Sequence, residues 1–313
     1  MSKFFGEEQQ ILLPEEVIRK LFYAEYEVAE YVPSQNISPS GMGCPIACAF
    51  KLNGVPVPAG KASFYGSSAA DNGSDRHERI QEFLSRTPYW VDVADYIAKR
   101  PELEVRVVTA QEQAESLEKS FTSRLEQLNI LRQQQDFTGA EATEYGDLVK
   151  WLSIPIEQHA KEIAEKNRFE VLLLHTKYPI RFRCDGMLRI DGKFYVLEIK
   201  TERQSKNSFR IAPDPKHAKQ GITYEMSLKP DGGIIWLYEG RDALEPKTFL
   251  QLPDEQACKE NEAYIANIVA KKDTPWLLEI PPASACTYCE YKAKCKEEKK
   301  KWKEMNKTRP LQI

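Results

Sequence analysis

The dipeptide Asp191-Gly192, set between Arg181–Ile190 and Lys193–Thr201, restricts this chain more than any other feature of its sequence. Both flanking segments are rich in strand formers, and Asp-Gly between such runs is a strong two-residue hairpin signal. If Ile190 faces Lys193, counting back along the strands sets Asp185 opposite Glu198. Cross-strand neighbours have Cβ atoms about 4.5–5.5 Å apart, and like charges placed there repel. A hard divalent cation relieves that repulsion, and carboxylate oxygens are the ligands Mg²⁺ prefers. Side chains alternate along a strand, so Lys200 falls on the face of Glu198 while Leu197 and Ile199 face the other way. The hairpin therefore predicts an acid pair with an ammonium beside it.

A second constellation lies near the C-terminus. Cys286-x2-Cys289-x5-Cys295 follows Pro281-Pro282 and lets one loop present three thiolates to a soft metal centre. A closed site needs a fourth ligand, and Cys44, Cys48, Cys184 and Cys258 remain. Cys44, in a Cys-Pro context after a glycine-containing loop, is the first choice and Cys48 the second. Cys184 adjoins the hairpin acid and Cys258 falls within a predicted helix. Zinc and [4Fe–4S] both accept four thiolates, so ligand type leaves both open.

The 313 residues suffice for one large domain or two small ones, and no apolar run approaches the roughly 20 residues of a membrane span. The first residues turn acidic too early for a secretory signal, so a cytoplasmic location without membrane contact is expected. Thiols stay reduced there, and clustered cysteines more often bind metal than pair. Net charge is −3, so a nucleic acid must be met by a local basic groove rather than by a basic surface.

Along the chain, Pro14–Tyr31 reads as a helix and Asn72–Ser74 as a loop, with Ser74 or Asp75 capping a helix over Arg76–Ser85. Apolar residues at three- and four-residue steps predict an amphipathic helix over Ala110–Leu131, a surface for a protein partner or for packing on its own core. Gln133–Asp147 reads as a loop, Ile156–Asn167 as a helix and Phe169–His175 as a strand. Beyond the hairpin come a helix from Asp214-Pro215 to Leu228, a strand Ile234–Tyr238, a short strand Phe249–Leu252 and a helix Asp254–Lys271. The segment Lys292–Lys307 is lysine-dense.

Asp185, Glu198-Ile199-Lys200 and Gln220-x3-Tyr224 occur in the order found in the PD-(D/E)XK nuclease superfamily, which the chain resembles. Gly73-x3-His77 resembles the histidine-bearing first motif of the RecB-like branch. Cys44 with Cys286, Cys289 and Cys295 is similar to the iron–sulfur version of that branch, shared by Cas-four and AddB-type nucleases. The likeness runs from about Cys44 to Cys295 and departs from the family in a long helical insertion over Pro101–Lys150. Helicase motifs are missing.

The resemblance implies an α/β restriction-endonuclease-like core, a mixed central sheet flanked by helices, over residues 169–253. Residues 1–100 would be a helical N-terminal part, 101–168 a helical insertion, and 254–313 a helix, the cysteine segment and a basic tail. His77, Asp185, Glu198 and the carbonyl of Ile199 would hold Mg²⁺ or Mn²⁺. Lys200 would orient or help deprotonate the attacking water, and Gln220 and Tyr224 would position lysine and substrate. Cys44, Cys286, Cys289 and Cys295 would hold a structural [4Fe–4S] cluster. The activity implied is DNA hydrolysis, exonucleolytic rather than endonucleolytic, on single strands or free ends. His159 competes with His77 for the histidine role, and His217 lies near Gln220. The competing readings are a non-catalytic DNA-binding or assembly subunit with a nuclease fold, and a zinc-binding DNA-binding protein.

Overall fold

Asp191 and Gly192 both adopt positive φ, 51° and 83°, the backbone a tight hairpin turn of the right twist requires. The register they set, Ile190 against Lys193 through Gly186 against Leu197, is the one expected from the sequence. A computed structural model describes residues 25–28, 31–57, 60–134, 138–202, 210–240, 246–279, 286 and 289–306.

The first described elements are strand β1 (Glu25–Val28), a 3₁₀ turn (Pro39–Gly41) and helix α1 (Pro45–Leu52). Strand β2 (Gly60–Ser63), helix α2 (Phe64–Ser85), strand β3 (Trp90–Val91), helix α3 (Val93–Ala98) and strand β4 (Val105–Val107) follow. Three helices come next: α4 (Ala110–Gln133), α5 (Gly139–Leu152) and α6 (Ile156–Lys166). Strands β5 (Leu173–His175), β6 (Arg181–Phe182), β7 (Gly186–Ile190) and β8 (Lys193–Glu202) lead to helix α7 (Ala218–Leu228). Strands β9 (Gly233–Gly240) and β10 (Lys247–Gln251) and helices α8 (Glu255–Ala270) and α9 (Lys292–Asn306) are the last described elements.

A five-stranded mixed sheet has the order β10-β9-β8-β7-β3, with β8 and β9 parallel and the other pairs antiparallel. Helix α7 forms part of the crossover that a parallel pair requires. Alternation along the strands divides the core. Leu188, Leu197, Ile199 and Leu237 form one cluster, against which Ile80 and Leu84 of α2 pack. Met187, Val196, Trp236 and Tyr238 belong to the larger cluster on the other face, with Tyr224 and Leu228 of α7. Among the described residues no helix is long and apolar enough to cross a membrane.

Several expected elements fall elsewhere. Most of the helix expected over Pro14–Tyr31 lies outside the described residues, but Glu25–Val28 is a strand paired with Gly60–Ser63. Its charged-apolar alternation, Glu-Tyr-Glu-Val, is the period of a strand. The loop and caps expected at Asn72–Asp75 are interior to α2, which begins at Phe64. Asn, Gly and Asp cost a helix at most about 1 kcal/mol each, and the packing of its later turns offsets that. Gln133–Asp147 contains most of α5, not a loop. Thr138 and Glu141 close a capping box at its start, a signal hidden behind the polar composition. The first hairpin strand is divided: Arg181–Phe182 pairs with β5 in a three-stranded sheet, and only Gly186–Ile190 pairs with β8.

The predicted helix over Ala110–Leu131 is present, and its Thr109–Glu112 capping box fixes the start. Ala114 and Leu128 are buried, Phe121 meets Trp151 of α5 edge-on at 4.8 Å, and Arg124 forks onto Glu144. Much of its apolar stripe is therefore satisfied within the chain.

Gly186 sits where the hairpin meets the edge strand. A Cβ there would lie 2.4 Å from the Trp90 ring. We expect Gly186→Ala to lower stability by about 1–3 kcal/mol in urea denaturation, as overpacking does. An unchanged midpoint would show that Trp90 moves aside freely.

Candidate functional site

One step beyond the last paired residues of β7 and β8, Asp185 meets Glu198. Both carboxylates are nearly buried, 9% and 3% exposed, and each is held by the opposite kind of group. Asp185 Oδ2 accepts the backbone N–H of Ile199. Glu198 Oε1 accepts from Lys200 Nζ and from Gln220 Nε2, both at 2.6 Å. The predicted face-sharing of Glu198 and Lys200 thus becomes a direct ion pair. Gln220 also donates to the Tyr224 hydroxyl at 2.8 Å, and that hydroxyl donates to the Arg183 carbonyl at 2.9 Å. Residues one helical turn apart on α7 therefore reach the strand pair together. Glu198 Oε2 is buried and has no hydrogen-bond partner.

Helix α2 approaches from the other side. His77 Nδ1 stands 3.8 Å from Asp185 Oδ2. Glu170, just before β5, completes a trio: one ligand atom each from His77, Glu170 and Asp185 lies within 4.8 Å of the others. Gln81, one turn after His77, donates to Glu170 Oε1 at 3.0 Å and to the Asp185 carbonyl at 2.8 Å. Neither Glu170 nor Gln81 was identified from sequence. Glu170 carries no spacing signal, whereas Gln81 shares a helix face with His77 through i,i+4 spacing.

Burial raises the Asp185 carboxyl well above its ordinary pKa, and the charges of Glu198 and Glu170 add to the rise. Burial also raises Glu198, against the opposing pull of Lys200. His77 is pushed down to about 4 by burial and by the Lys200 charge, so at neutral pH it is a neutral imidazole with a lone pair to give. At an effective dielectric of 20, two like charges about 4 Å apart repel by roughly 4 kcal/mol, and a bound cation reverses that balance. A neutral imidazole and clustered carboxylates form a donor set that could hold a divalent cation. Of the four residues expected to hold metal, His77 and Asp185 are in the close trio. Glu198 is fastened to Lys200 and Gln220 through one oxygen, with the other unpartnered.

The other histidines are engaged elsewhere. His159 stacks on Trp151 at 3.8 Å and bonds its carbonyl at 2.9 Å, within the α4–α6 helices. His217 bonds the Tyr238 hydroxyl through Nδ1 at 2.9 Å and stacks on Trp236.

The cysteines divide in the same way. Cys44 caps α1, its Sγ accepting the Ala47 N–H at 3.4 Å. Burial raises its pKa, and the nearby thiols of Cys289 and Cys295 oppose its ionisation. Burial likewise raises Cys289 and Cys295; Cys286 disfavours ionisation of both, and Cys289 that of Cys295. Among the described cysteines no three thiols lie within 4.8 Å of one another, so they form no close ligand group. Cys48 points toward the Gly41 carbonyl, and burial pushes it up to about 12. Cys184 is buried beside Asp185, and the Cys258 thiol faces the Ile222 carbonyl. The cysteine segment is fastened to the N-terminal part by Tyr31–Glu290 at 2.9 Å, Lys51–Glu290 at 3.1 Å and Tyr291–Val55 at 3.2 Å.

No family model and no curated protein matches the chain. A solved structure titled "Crystal structure of SSO0001" aligns at 18% identity over 74% of this chain and 96% of that one, with a TM-score of 0.28, too low to carry an argument.

The raised carboxyls have a thermodynamic consequence. Both hold protons to higher pH in the folded than in the unfolded chain, so the native state binds more protons. Their stabilising share is full below about pH 4 and is lost as pH rises through the folded values. In EDTA, Asp185→Asn should melt above wild type at neutral pH, with the gap narrowing as pH falls toward 4. A variant that melts below wild type at neutral pH would show that the acids are not under strain.

Proposed function

We propose that this chain is a divalent-metal-dependent deoxyribonuclease of the PD-(D/E)XK type, with a structural [4Fe–4S] site. The observation that carries the reading is the buried Asp185–Glu198 pair bonded to Lys200, with a lone buried Glu198 oxygen and His77 and Glu170 alongside. Crowded, desolvated carboxylates with this donor set call for a cation. His77, Asp185, Glu198 and the Ile199 carbonyl would hold Mg²⁺ or Mn²⁺, and Glu170 joins them on its geometry. When bound, the cation supplies Lewis acidity toward a phosphate oxygen and toward a nucleophilic water.

The chain's own groups do the rest. Lys200 presents an ammonium at the edge of the acid pair, where it can hydrogen-bond the attacking water or a non-bridging phosphate oxygen. Gln220 holds the Glu198 carboxylate in one orientation, and Tyr224 fixes Gln220 against the Arg183 carbonyl. Hydrolysis adds one water across a phosphodiester P–O bond. The assignment to DNA, and to exonucleolytic cleavage of single strands or free ends, rests on the family resemblance.

The cysteine site is read as a cluster rather than zinc on the family resemblance that Cys44, Cys286, Cys289 and Cys295 carry.

Asp185→Ala, Glu198→Ala and Lys200→Ala should each lower cleavage of end-labelled DNA by at least about 100-fold in Mg²⁺ or Mn²⁺, the scale of losing a positioned catalytic group. Near-wild-type cleavage by the Asp185 or Glu198 variant would overturn the assignment. Anaerobically purified protein should be yellow-brown, and Cys44→Ala, Cys286→Ala, Cys289→Ala or Cys295→Ala should bleach it while Cys48→Ala, Cys184→Ala and Cys258→Ala keep the colour. Colourless protein with stoichiometric zinc would replace the cluster reading.

A further inference from the structure

Beside the acid site lies a groove of about 390 Å³, and its walls are basic. Arg181, Arg183 and Lys51 line it with the polar side chains of Asn36 and Ser38, and Glu170 closes the end next to the acid site. Arg181 and Arg183 alternate with buried Phe182 and Cys184, and both line this groove on the segment that runs into Asp185. Along an extended chain they are spaced about 6.6 Å apart.

Their charges are only partly matched within the protein: Glu170, at the end of the same groove, favours the Arg183 charge from beyond ion-pair distance. Among the described residues no carboxylate lies within ion-pair distance of either arginine; Arg183 Nη2 reaches only the Gln113 amide oxygen at 3.2 Å. Arg183 Nε is buried with no partner at all. A buried guanidinium donor without an acceptor is costly, and a planar, bidentate oxyanion is its best complement. The facing wall is firm: Ile37 bonds the backbone on either side of Ile180, through the Pro179 carbonyl and the Arg181 N–H. Lys51 is anchored by Glu290, beside Cys289, so the cysteine segment braces that wall.

We propose that this groove is a binding channel for the phosphodiester backbone of a single nucleic-acid strand, with Arg181 and Arg183 each taking one phosphate as the strand leads to the acid site. The proposal deepens the nuclease reading and rests on it for the direction of the strand. A volume of about 390 Å³ is on the scale of a nucleotide-sized group. The arginines position the strand and take no part in the chemistry.

The test is binding of a short fluorescein-labelled oligothymidine, followed by anisotropy in EDTA across a salt series so that no cleavage intervenes. Arg181→Gln and Arg183→Gln should each weaken binding about tenfold at low salt. Each should also flatten the plot of log K against log salt by about 0.7, the signature of one lost contact to a single strand. Arg183→Lys should keep most of the slope, and Lys193→Gln, on the exposed hairpin turn, should keep all of it. An Arg181→Gln variant with unchanged slope overturns the groove, whether or not the protein cleaves DNA. So does a wild-type protein that does not bind the oligonucleotide. A flattened slope in a protein that never cleaves would leave the groove standing and remove the nuclease reading instead.

Discussion

Everything near the candidate site depends on placing two carboxylates opposite one another across β7 and β8 in a nearly dry setting. Water screens such a pair at a surface, but here both acids are almost inaccessible and burial lifts both pKa values. The surrounding groups are arranged to tolerate that charge. The Ile199 N–H and His77 attend Asp185, Lys200 and Gln220 attend Glu198, and Gln81 joins Glu170 to the Asp185 backbone. One acceptor, Glu198 Oε2, is left over. An acid cluster of this kind makes poor sense as a stabilising device, because buried like charges oppose folding, and perturbed groups of this kind mark candidate functional sites.

The fold supplies rigidity from both faces. Helix α2 lays Ile80 and Leu84 on the Leu197–Ile199 face and presents His77 and Gln81 at its margin. Helix α7 lays Tyr224 and Leu228 on the opposite face and sends Gln220 to Glu198. The same helix meets the N-terminal cysteine loop, where Thr223 contacts Met42 and Lys219 sits over Tyr264, whose hydroxyl bonds the Met42 carbonyl. The cysteine region and the acid site thus share one helix, and a structural metal in the former would steady the latter without taking part in its chemistry.

Much of the acid site was legible in the sequence because its determinants are local. The Asp191-Gly192 turn sets the register, period-two alternation sets the faces, and i,i+4 spacing joins Gln220 to Tyr224. His77 was separable from His159 only through accompanying motifs, and the geometry places the latter against Trp151, remote from the acids in its contacts. Glu170 was hidden because its role depends on where α6 delivers the chain, a tertiary fact with no periodic trace. The misreadings have equally physical sources. Poor helix formers at 72, 73 and 75 do not stop a helix whose later turns are packed, and a capping box at Thr138 outweighs polar composition after it. The break between β6 and β7 arises because the two halves of one run of strand formers, residues 181–190, pair with different sheets.

The most direct test of the central claim is a calorimetric titration with Mn²⁺ of the full-length protein, free of nucleic acid. Wild type should bind the ion, Glu170→Gln should bind it more weakly, and Asp185→Asn should lose it, with each variant shown to be folded by thermal melting. Wild-type protein that takes up no Mn²⁺, or an Asp185→Asn variant that binds it as tightly as wild type, would contradict the account.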